Sequence, residues 1–234
     1  MKKPLVIVPT YNERDNIEAI IHAVFEALPE GELLIIDDGS PDGTGDFVEE
    51  KMAAEPRLHL MRREGKLGLG TAYLAGFKYA LERDYTHVFE MDADFSHNPA
   101  DLPRLLEATD EADLALGSRW VKGGGTVGWP LKRKFMSRGG SFYARTILGV
   151  KVRDLTGGFK CFKRETLEAL DFDAISAKGY GFQIELTWRV IKLGLKVVEV
   201  PIIFTERQVG VSKMSGSIFK EALSLVWKLR LGKV

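Results

Sequence analysis

Asp92 and Asp94 stand one residue apart in VFEMDADFSH (88–97), where an apolar run ends. On a strand, positions i and i+2 point to the same face, so the two carboxylates converge and their like charges repel. A hard divalent cation, Mg²⁺ or Mn²⁺, resolves that conflict, because such ions take carboxylate oxygens and fill their remaining positions with water and substrate phosphates. The competing reading is structural: a solvated turn whose Asp caps the next helix.

Placing such a pair takes a buried strand that stops at the surface, and the first half of the chain supplies several. LVIVP (5–9), ELLIID (32–37), LHLM (58–61), HVFEM (87–91) and LALGS (114–118) read as strands, covered on both faces because they do not alternate strictly. Between them Ile17, Ile20, Ile21, Val24, Phe25 and Leu28 recur at helical spacing, and Leu69, Ala72, Tyr73, Gly76, Phe77, Ala80 and Leu81 do so again. Strands alternating with helices predict an α/β fold, a mostly parallel, Rossmann-like sheet with helices on both faces. Its ligands should collect at the carboxyl ends of the strands. Tyr11 to Glu13 follow the first strand, Asp37 and Asp38 end the second, and Asp92 and Asp94 end the fourth. Chance would scatter three such clusters over both edges; their coincidence favours a site over a turn.

The second half is less regular. WVKGGGTVGWP (120–130) is glycine-rich without periodicity and reads as a mobile loop, a lid. A helix over 134–148, a strand in FKCFK (159–163), a helix over 182–193, strands in KVVEV (196–200) and IIFTE (202–206) and a helix over 215–231 follow. Residues 1–118 hold 24 Asp and Glu against 11 Lys and Arg, whereas residues 119–234 hold 9 against 22. An acidic half suits a metal; a basic half suits phosphates or an anionic lipid surface.

The 234 residues suffice for one substantial core. Cys161 is alone, which excludes an internal disulfide framework and fits a reducing compartment; within the FKCFK alternation it reads as packing. MKKPLVIVPTYN passes directly into a strand without a leader pattern, and no run of about 18 apolar residues occurs. The expectation is a cytoplasmic protein whose membrane contact is peripheral, with no nucleic-acid partner.

PTYNE (9–13), DDGSPDGT (37–44), GKLGLGTA (65–72), DAD (92–94), GSR (117–119) and LTGGFK (155–160) occur in that order. Together they resemble family 2 glycosyltransferases of the GT-A fold, and among these the dolichol-phosphate, or polyprenol-phosphate, mannose synthases. The resemblance covers nearly all of residues 4–213. It implies an enzyme that moves mannose from GDP-mannose to a dolichyl or polyprenyl monophosphate in a membrane, inverting the anomeric centre in one displacement. Residues 1–213 would form the catalytic domain, with a nucleotide-binding half (1–118) and an acceptor-binding half (119–213), followed by an amphipathic helix (214–234).

Carried over residue by residue, the resemblance implies that Pro9, Tyr11 and Glu13 line the nucleotide pocket and that Ile36, Asp37 and Asp38 reach the guanine and ribose. Asp92 and Asp94 would hold Mg²⁺ or Mn²⁺ against the diphosphate, with Ala93 contributing backbone only. Ser96 stands where some relatives carry a Gln as a further ligand; its hydroxyl is a weaker oxygen donor, and water is the alternative. Lys66 would meet the donor or its phosphates. Arg119, Arg133, Ser137, Arg207 and Lys213 match positions that hold the acceptor phosphate or the donor diphosphate, Arg119 also counting with the catalytic aspartates. Such an acceptor needs no strong base, since a phosphate monoester, with a second pKa of about 6, is already anionic at neutral pH.

Each assignment has a plainer rival. Asp-Gly-Ser-Pro-Asp-Gly is turn chemistry in its own right. Lys66 can be a solvated lysine at a helix start, and any one arginine can sit in a surface salt bridge, although several converging ones are hard to place in a core. Gly68 and Gly70 begin a G-x-G pattern, but Tyr73 replaces the third glycine and the motif follows the third strand, so the dinucleotide fingerprint fails. For the whole chain, hexosyl (glucosyl) transfer from a UDP-sugar, an aspartate-nucleophile phosphohydrolase and a non-catalytic nucleotide-binding module are the alternatives. The phosphohydrolase pattern expects its paired Asp after the first strand, not the fourth.

Two segments bear on the membrane. Phe135, Met136, Phe142, Tyr143, Ile147 and Leu148 give one helix an apolar side. Ile218, Phe219, Ala222, Leu223, Leu225, Val226, Trp227 and Leu229 do so for the last helix, flanked by Lys213, Lys220, Lys228, Arg230 and Lys233. Either side can lie in a membrane interface or pack on the domain.

Overall fold

The computed structural model describes residues 2–177, 179, 181–206 and 216–232, with the backbone only at 216–222. In the first half, β1 (Pro4–Thr10), β2 (Glu32–Asp37), β3 (Leu58–Arg62), β4 (His87–Glu90) and β5 (Leu114–Ser118) alternate with α1 (Arg14–Ala27), α2 (Thr44–Met52), α3 (Leu69–Leu81) and α4 (Leu102–Ala108). A short 3₁₀ turn, Pro99–Asp101, precedes α4. The second half adds β6 (Gly125–Val127), α5 (Leu131–Leu148), β7 (Lys160–Lys163), α6 (Arg164–Glu168), α7 (Gly181–Lys192), β8 (Val197–Pro201), β9 (Ile203–Thr205) and α8 (Gly216–Arg230). Among the described residues, seven strands form one sheet in the order β3-β2-β1-β4-β7-β5-β8, parallel except for β7, which runs antiparallel to both neighbours.

Burial on both faces explains the apolar runs. Ile7, Ile36, Tyr73, Phe77, Phe162 and Phe182 belong to the core on one side of the sheet, and Val6, Val8, Ile17, Ile35 and Phe89 to the core on the other. Successive residues of β1 and β2 therefore serve opposite faces, the period of a doubly covered strand. Gly76 lets α3 lie close to the sheet, since a Cβ there would stand 2.7 Å from Ile7 Cδ1.

Elsewhere the apolar spacing misleads or is silent. It does not announce α2, where Val48 is the one large apolar side chain that is buried, nor α4 and α6, of seven and five residues. WVKGGGTVGWP is not an open lid: Gly125–Val127 pairs with β9 as a parallel ribbon, and Trp129 is buried. Its glycines serve tight turns, Gly123 and Gly128 having φ of +90° and +80°. FKCFK does not alternate either, because β7 lies inside the sheet and Lys160, Cys161 and Phe162 are all enclosed. Cys161 is core packing, its thiol pushed well up by burial. The last helix packs on the domain: Leu225, Val226 and Leu229 are buried, and Leu225 Cδ2 lies only 2.5 Å from where a Cβ on Gly181 would be. No helix among the described residues is long and apolar enough to cross a membrane.

Candidate active site

The loops after β1, β2 and β3 meet at one rim and are pinned there by hydrogen bonds. Asp37, buried at the end of β2, accepts from the Thr10 hydroxyl at 3.0 Å, the Ser40 hydroxyl at 2.5 Å and the Ser40 N–H at 3.0 Å. Asp42 accepts the N–H groups of Arg14 and Thr44, each at 3.0 Å, and the Thr44 hydroxyl at 2.6 Å. Burial opposes its charge, but these donors outweigh that effect and hold the carboxyl below the usual range. Thr44 in turn accepts the Glu13 N–H at 3.1 Å, so DDGSPDGT fixes the start of α1. Asp37 is thus an organiser of the loop. Asp38 is gripped by Arg63, Nε to Oδ1 at 2.6 Å, both side chains being nearly buried.

Other donor-side candidates follow this rim. Lys66 is exposed, with Nζ 4.9 Å from the Tyr11 ring centroid, and Pro9, Tyr11 and Glu13 are half-buried beside the Asp38 loop. Ile36 is different. Its side chain is enclosed in the core with Ile7 and Phe77, so only its backbone can face a ligand.

The acidic pair sits beyond its strand. β4 ends at Glu90; the Met91 N–H still reaches Ile7 O at 3.1 Å, and then the chain bends. Asp92 and Asp94 are therefore carried by a turn, and the pleat argument for their convergence gives way. Both are partly exposed while Ala93 between them is buried. Asp94 accepts the N–H of the buried Ser96 at 3.0 Å, and Phe95 takes a φ of +58° to close the turn. His97 braces it. This buried ring accepts the Asp92 N–H on Nδ1 at 3.2 Å, stacks on Phe159 at 4.9 Å and meets Phe204 edge-on at 5.4 Å. Burial pushes its pKa down to about 4, against the pull of Asp94, so the ring is neutral at pH 7 and Nδ1 can accept.

Among the described residues no group of three His, Cys, Asp or Glu forms a ready cation cage. Two part-exposed carboxylates fit a hard cation whose other positions go to water and a diphosphate. Behind them Glu90 and Lys160, both fully buried and opposite in register on β4 and β7, pair at 3.3 Å. Burial pushes the Glu90 carboxyl up to about 7, with Lys160 and the nearby Gln183 amide pulling the other way.

Arg119 departs furthest from expectation. It is buried and bidentate on Asp154, Nε to Oδ2 at 2.7 Å and Nη2 to Oδ1 at 2.6 Å, and Nη2 also donates to Thr156 Oγ1 at 2.9 Å. A core does accommodate this arginine, because a buried carboxylate matches its fork. The Trp129 ring lies 5.5 Å from Arg119 Cζ and 4.1 Å from Arg133 Cζ, so both guanidinium groups lie near one indole. Arg133 pairs with Glu206, just past β9. Ser137 follows Arg133 by four residues on the same face of α5. That face continues to Ser141, whose hydroxyl is 3.3 Å from Thr156 Oγ1. Arg119 and Arg133 are brought together at Trp129, with Ser137 one turn along α5 from Arg133; Arg207 and Lys213 lie outside the described residues. The basic cluster reaches the acidic turn through Trp129, Phe204 and His97, with ring separations of 5.1 Å and 5.4 Å.

The outer face of α5 carries apolar side chains among exposed basic ones. Leu131, Phe135, Met136 and Phe142 are exposed, Phe135 by 83%, whereas Tyr143, Ile147 and Leu148 turn into the core. The sequence reading thus holds for half of that helix's apolar residues as a free surface and for half as packing.

A sheet of this topology, with an acidic turn after its fourth strand in sequence and an anchored loop rim beside it, is a GT-A-like fold. Residues 5–171 match the family model for glycosyl transferase family 2, and the chain belongs to that family; it is a glycosyltransferase. Two curated relatives are similar over most of their length. Polyprenol monophosphomannose synthase of Mycolicibacterium smegmatis is 52% identical over 233 residues, covering 98% of this chain and 88% of the relative. Undecaprenyl-phosphate mannosyltransferase of Micrococcus luteus is 50% identical over 219 residues, covering 94% and 90%. Among solved structures, glucosyl-3-phosphoglycerate synthase from Mycobacterium tuberculosis, in complex with Mn²⁺, uridine diphosphate and glucosyl-3-phosphoglycerate, shares the fold. Its TM-score is 0.69 at 21% identity, over 99% of this chain and 80% of that one.

Proposed function

We propose that this glycosyltransferase moves mannose from GDP-mannose to a dolichyl or polyprenyl monophosphate at a membrane surface, releasing GDP, with Mg²⁺ or Mn²⁺ held by Asp92 and Asp94. The mannosyl transfer to a polyprenyl phosphate is supported by the names of two relatives at 52% and 50% identity. The observation that carries the site is the link from the acidic turn through His97, Phe204 and Trp129 to Arg119 and Arg133. It supports a reading in which the acidic turn holds the cation and the neighbouring arginines hold the acceptor anion.

On the donor side, Pro9, Tyr11, Glu13, Asp38 and the Ile36 backbone bind the nucleoside, Asp37 holds their loop in place, and Lys66 meets the phosphates. The cation, when bound, offsets charge growing on the departing diphosphate. Ala93 supports the turn through its backbone, and Ser96 or water completes the oxygen ligands. Arg133 and Ser137 orient the acceptor phosphate, a role that the family resemblance also gives to Arg207 and Lys213. Arg119, locked by Asp154, forms the fixed wall behind them. No side chain needs to remove a proton, because the attacking oxygen is already anionic. The outward Leu131, Phe135 and Phe142, alternating with Lys132, Lys134 and Arg138, make α5 the contact with an anionic lipid surface, the cytoplasmic face of a membrane.

Labelled GDP-mannose, a short polyprenyl phosphate and Mn²⁺ mixed with the protein test the reading. The expected product is the mannosyl phospholipid, lost in chelator and restored by Mn²⁺ or Mg²⁺. Asp94→Ala is expected to abolish transfer with an unchanged circular dichroism spectrum. Turnover of UDP-glucose in place of GDP-mannose would replace the donor, and full activity in chelator would remove the metal.

A further inference from the structure

Glu206 follows β9 directly, and its N–H is tied to the Val127 carbonyl at 2.9 Å, which holds it at the end of the β6–β9 ribbon. Gly128 permits this approach: its φ is +80°, and a Cβ there would stand 2.8 Å from Glu206 Cβ. The Glu206 carboxylate accepts from Arg133 in the first turn of α5, while the Arg133 guanidinium lies over the Trp129 ring at 4.1 Å. Trp129 is buried and packs against Phe204, so the ring keeps the guanidinium in place whichever anion it holds. The two paired side chains retain 24% and 32% exposure, so they can exchange partners without any unfolding.

We propose that Glu206 is a competing carboxylate that sets how strongly a ligand must attract Arg133 to stay bound: it yields Arg133 to a phosphate monoester and takes it back once the phosphate has become a diester. The proposal rests on the reading that Arg133 contacts the acceptor phosphate. A monoester carries a charge of about −1.5 to −2 at neutral pH. In the transfer, a phosphate oxygen forms a bond to the anomeric carbon as the bond from that carbon to the diphosphate oxygen breaks, and the electron pair leaves on the diphosphate. No proton moves. The acceptor phosphate thereby loses one ionised oxygen and is left with the single charge of a carboxylate. Coulomb attraction scales with charge, so the phosphate's advantage over Glu206 at Arg133 disappears. Glu206, tethered to the same ribbon, competes at a high effective concentration and displaces the product.

Titration of native protein, Glu206→Gln and Glu206→Asp with farnesyl phosphate and with farnesyl methyl phosphate, a monoester and a diester of one chain length, tests this. Native protein is expected to prefer the monoester. A carboxylate that holds Arg133 in the free protein weakens both ligands by one factor, so Glu206→Gln is expected to tighten monoester and diester alike by about threefold to tenfold, while Glu206→Asp stays near native. Inhibition by the mannosyl phospholipid should strengthen in the Gln variant in parallel. If folded Glu206→Gln weakens either ligand, or leaves both affinities unchanged, the proposal is overturned and Glu206 merely props the ribbon. Arg133→Gln separates the two levels of the argument. Native-like binding of both ligands by that variant removes Arg133 from the acceptor site and the latch with it. Weak binding by Arg133→Gln, with unaltered affinities in Glu206→Gln, removes the latch alone.

Discussion

Replacing Asp154 by Asn preserves the shape facing Arg119 and removes its charge. Exposure decides the magnitude. A solvated Arg–carboxylate pair contributes about 0–1 kcal/mol, whereas a buried pair that loses one partner costs about 3–5 kcal/mol, because the survivor is left charged in a dry site. The Arg119 and Asp154 side chains are 3% and 0% exposed, which puts the pair in the second regime. Oδ2 accepts both the Arg119 Nε at 2.7 Å and the Arg119 backbone N–H at 2.9 Å, while Oδ1 accepts Nη2 at 2.6 Å. An Asn amide offers one acceptor oxygen for these donors, so whichever way it turns at least one donor is orphaned. The backbone of Asp154 should stay put, since its N–H is held separately by Glu199 at 2.9 Å. The expected loss is about 3–5 kcal/mol, read as a fall in Tm of about 6–20 °C by thermal denaturation and checked by urea titration. Arg119→Met with Asp154→Leu, which removes both charges, is expected to lose far less than the two single changes together. A loss below about 1 kcal/mol for Asp154→Asn, in a protein with a native circular dichroism spectrum, would refute the reasoning.

Two further outcomes follow from the charge and exposure of particular groups. Burial opposes ionisation of Glu32, but hydrogen bonds from Tyr85 and His59 and the charge of Lys3 outweigh it and hold the carboxyl below its ordinary value of 4.5. A depressed carboxyl contributes stability that is fully present above the unfolded value and is lost as pH falls through the folded one. Tm should therefore drop below about pH 4.5 more steeply in native protein than in Glu32→Gln; parallel acid limbs would contradict the assignment. Phe135→Glu puts a charge on the most exposed apolar residue of α5 and is expected to lower co-sedimentation with anionic vesicles severalfold while leaving Tm within about 1 °C. Unchanged sedimentation would move the membrane contact elsewhere.

The strands were legible because β1, β2 and β5 are covered on both faces, and a doubly buried strand has to be an unbroken apolar run. α2 was not, since one buried valine among TGDFVEEKM leaves no periodicity to detect. The acidic pair was singled out by its spacing, although the turn and His97, not the strand pleat, set its geometry. Arg119, Arg133 and Asp38 were singled out by the family resemblance, but their partners were not: Asp154, Glu206 and Arg63 lie 35, 73 and 25 positions away in the chain, a proximity created only by the topology. The glycines of 120–130 suggested looseness when they serve turns that the β6–β9 ribbon requires.

The central claim is that the rim carrying Asp92 and Asp94 grips a cation and a nucleoside diphosphate together. Anomalous diffraction at the manganese edge, from crystals grown with GDP and Mn²⁺, measures this directly. The account predicts a peak within about 2.0–2.3 Å of carboxylate oxygens of Asp92 or Asp94 that also contacts the GDP diphosphate. A peak, or a nucleotide, bound away from that turn would contradict it.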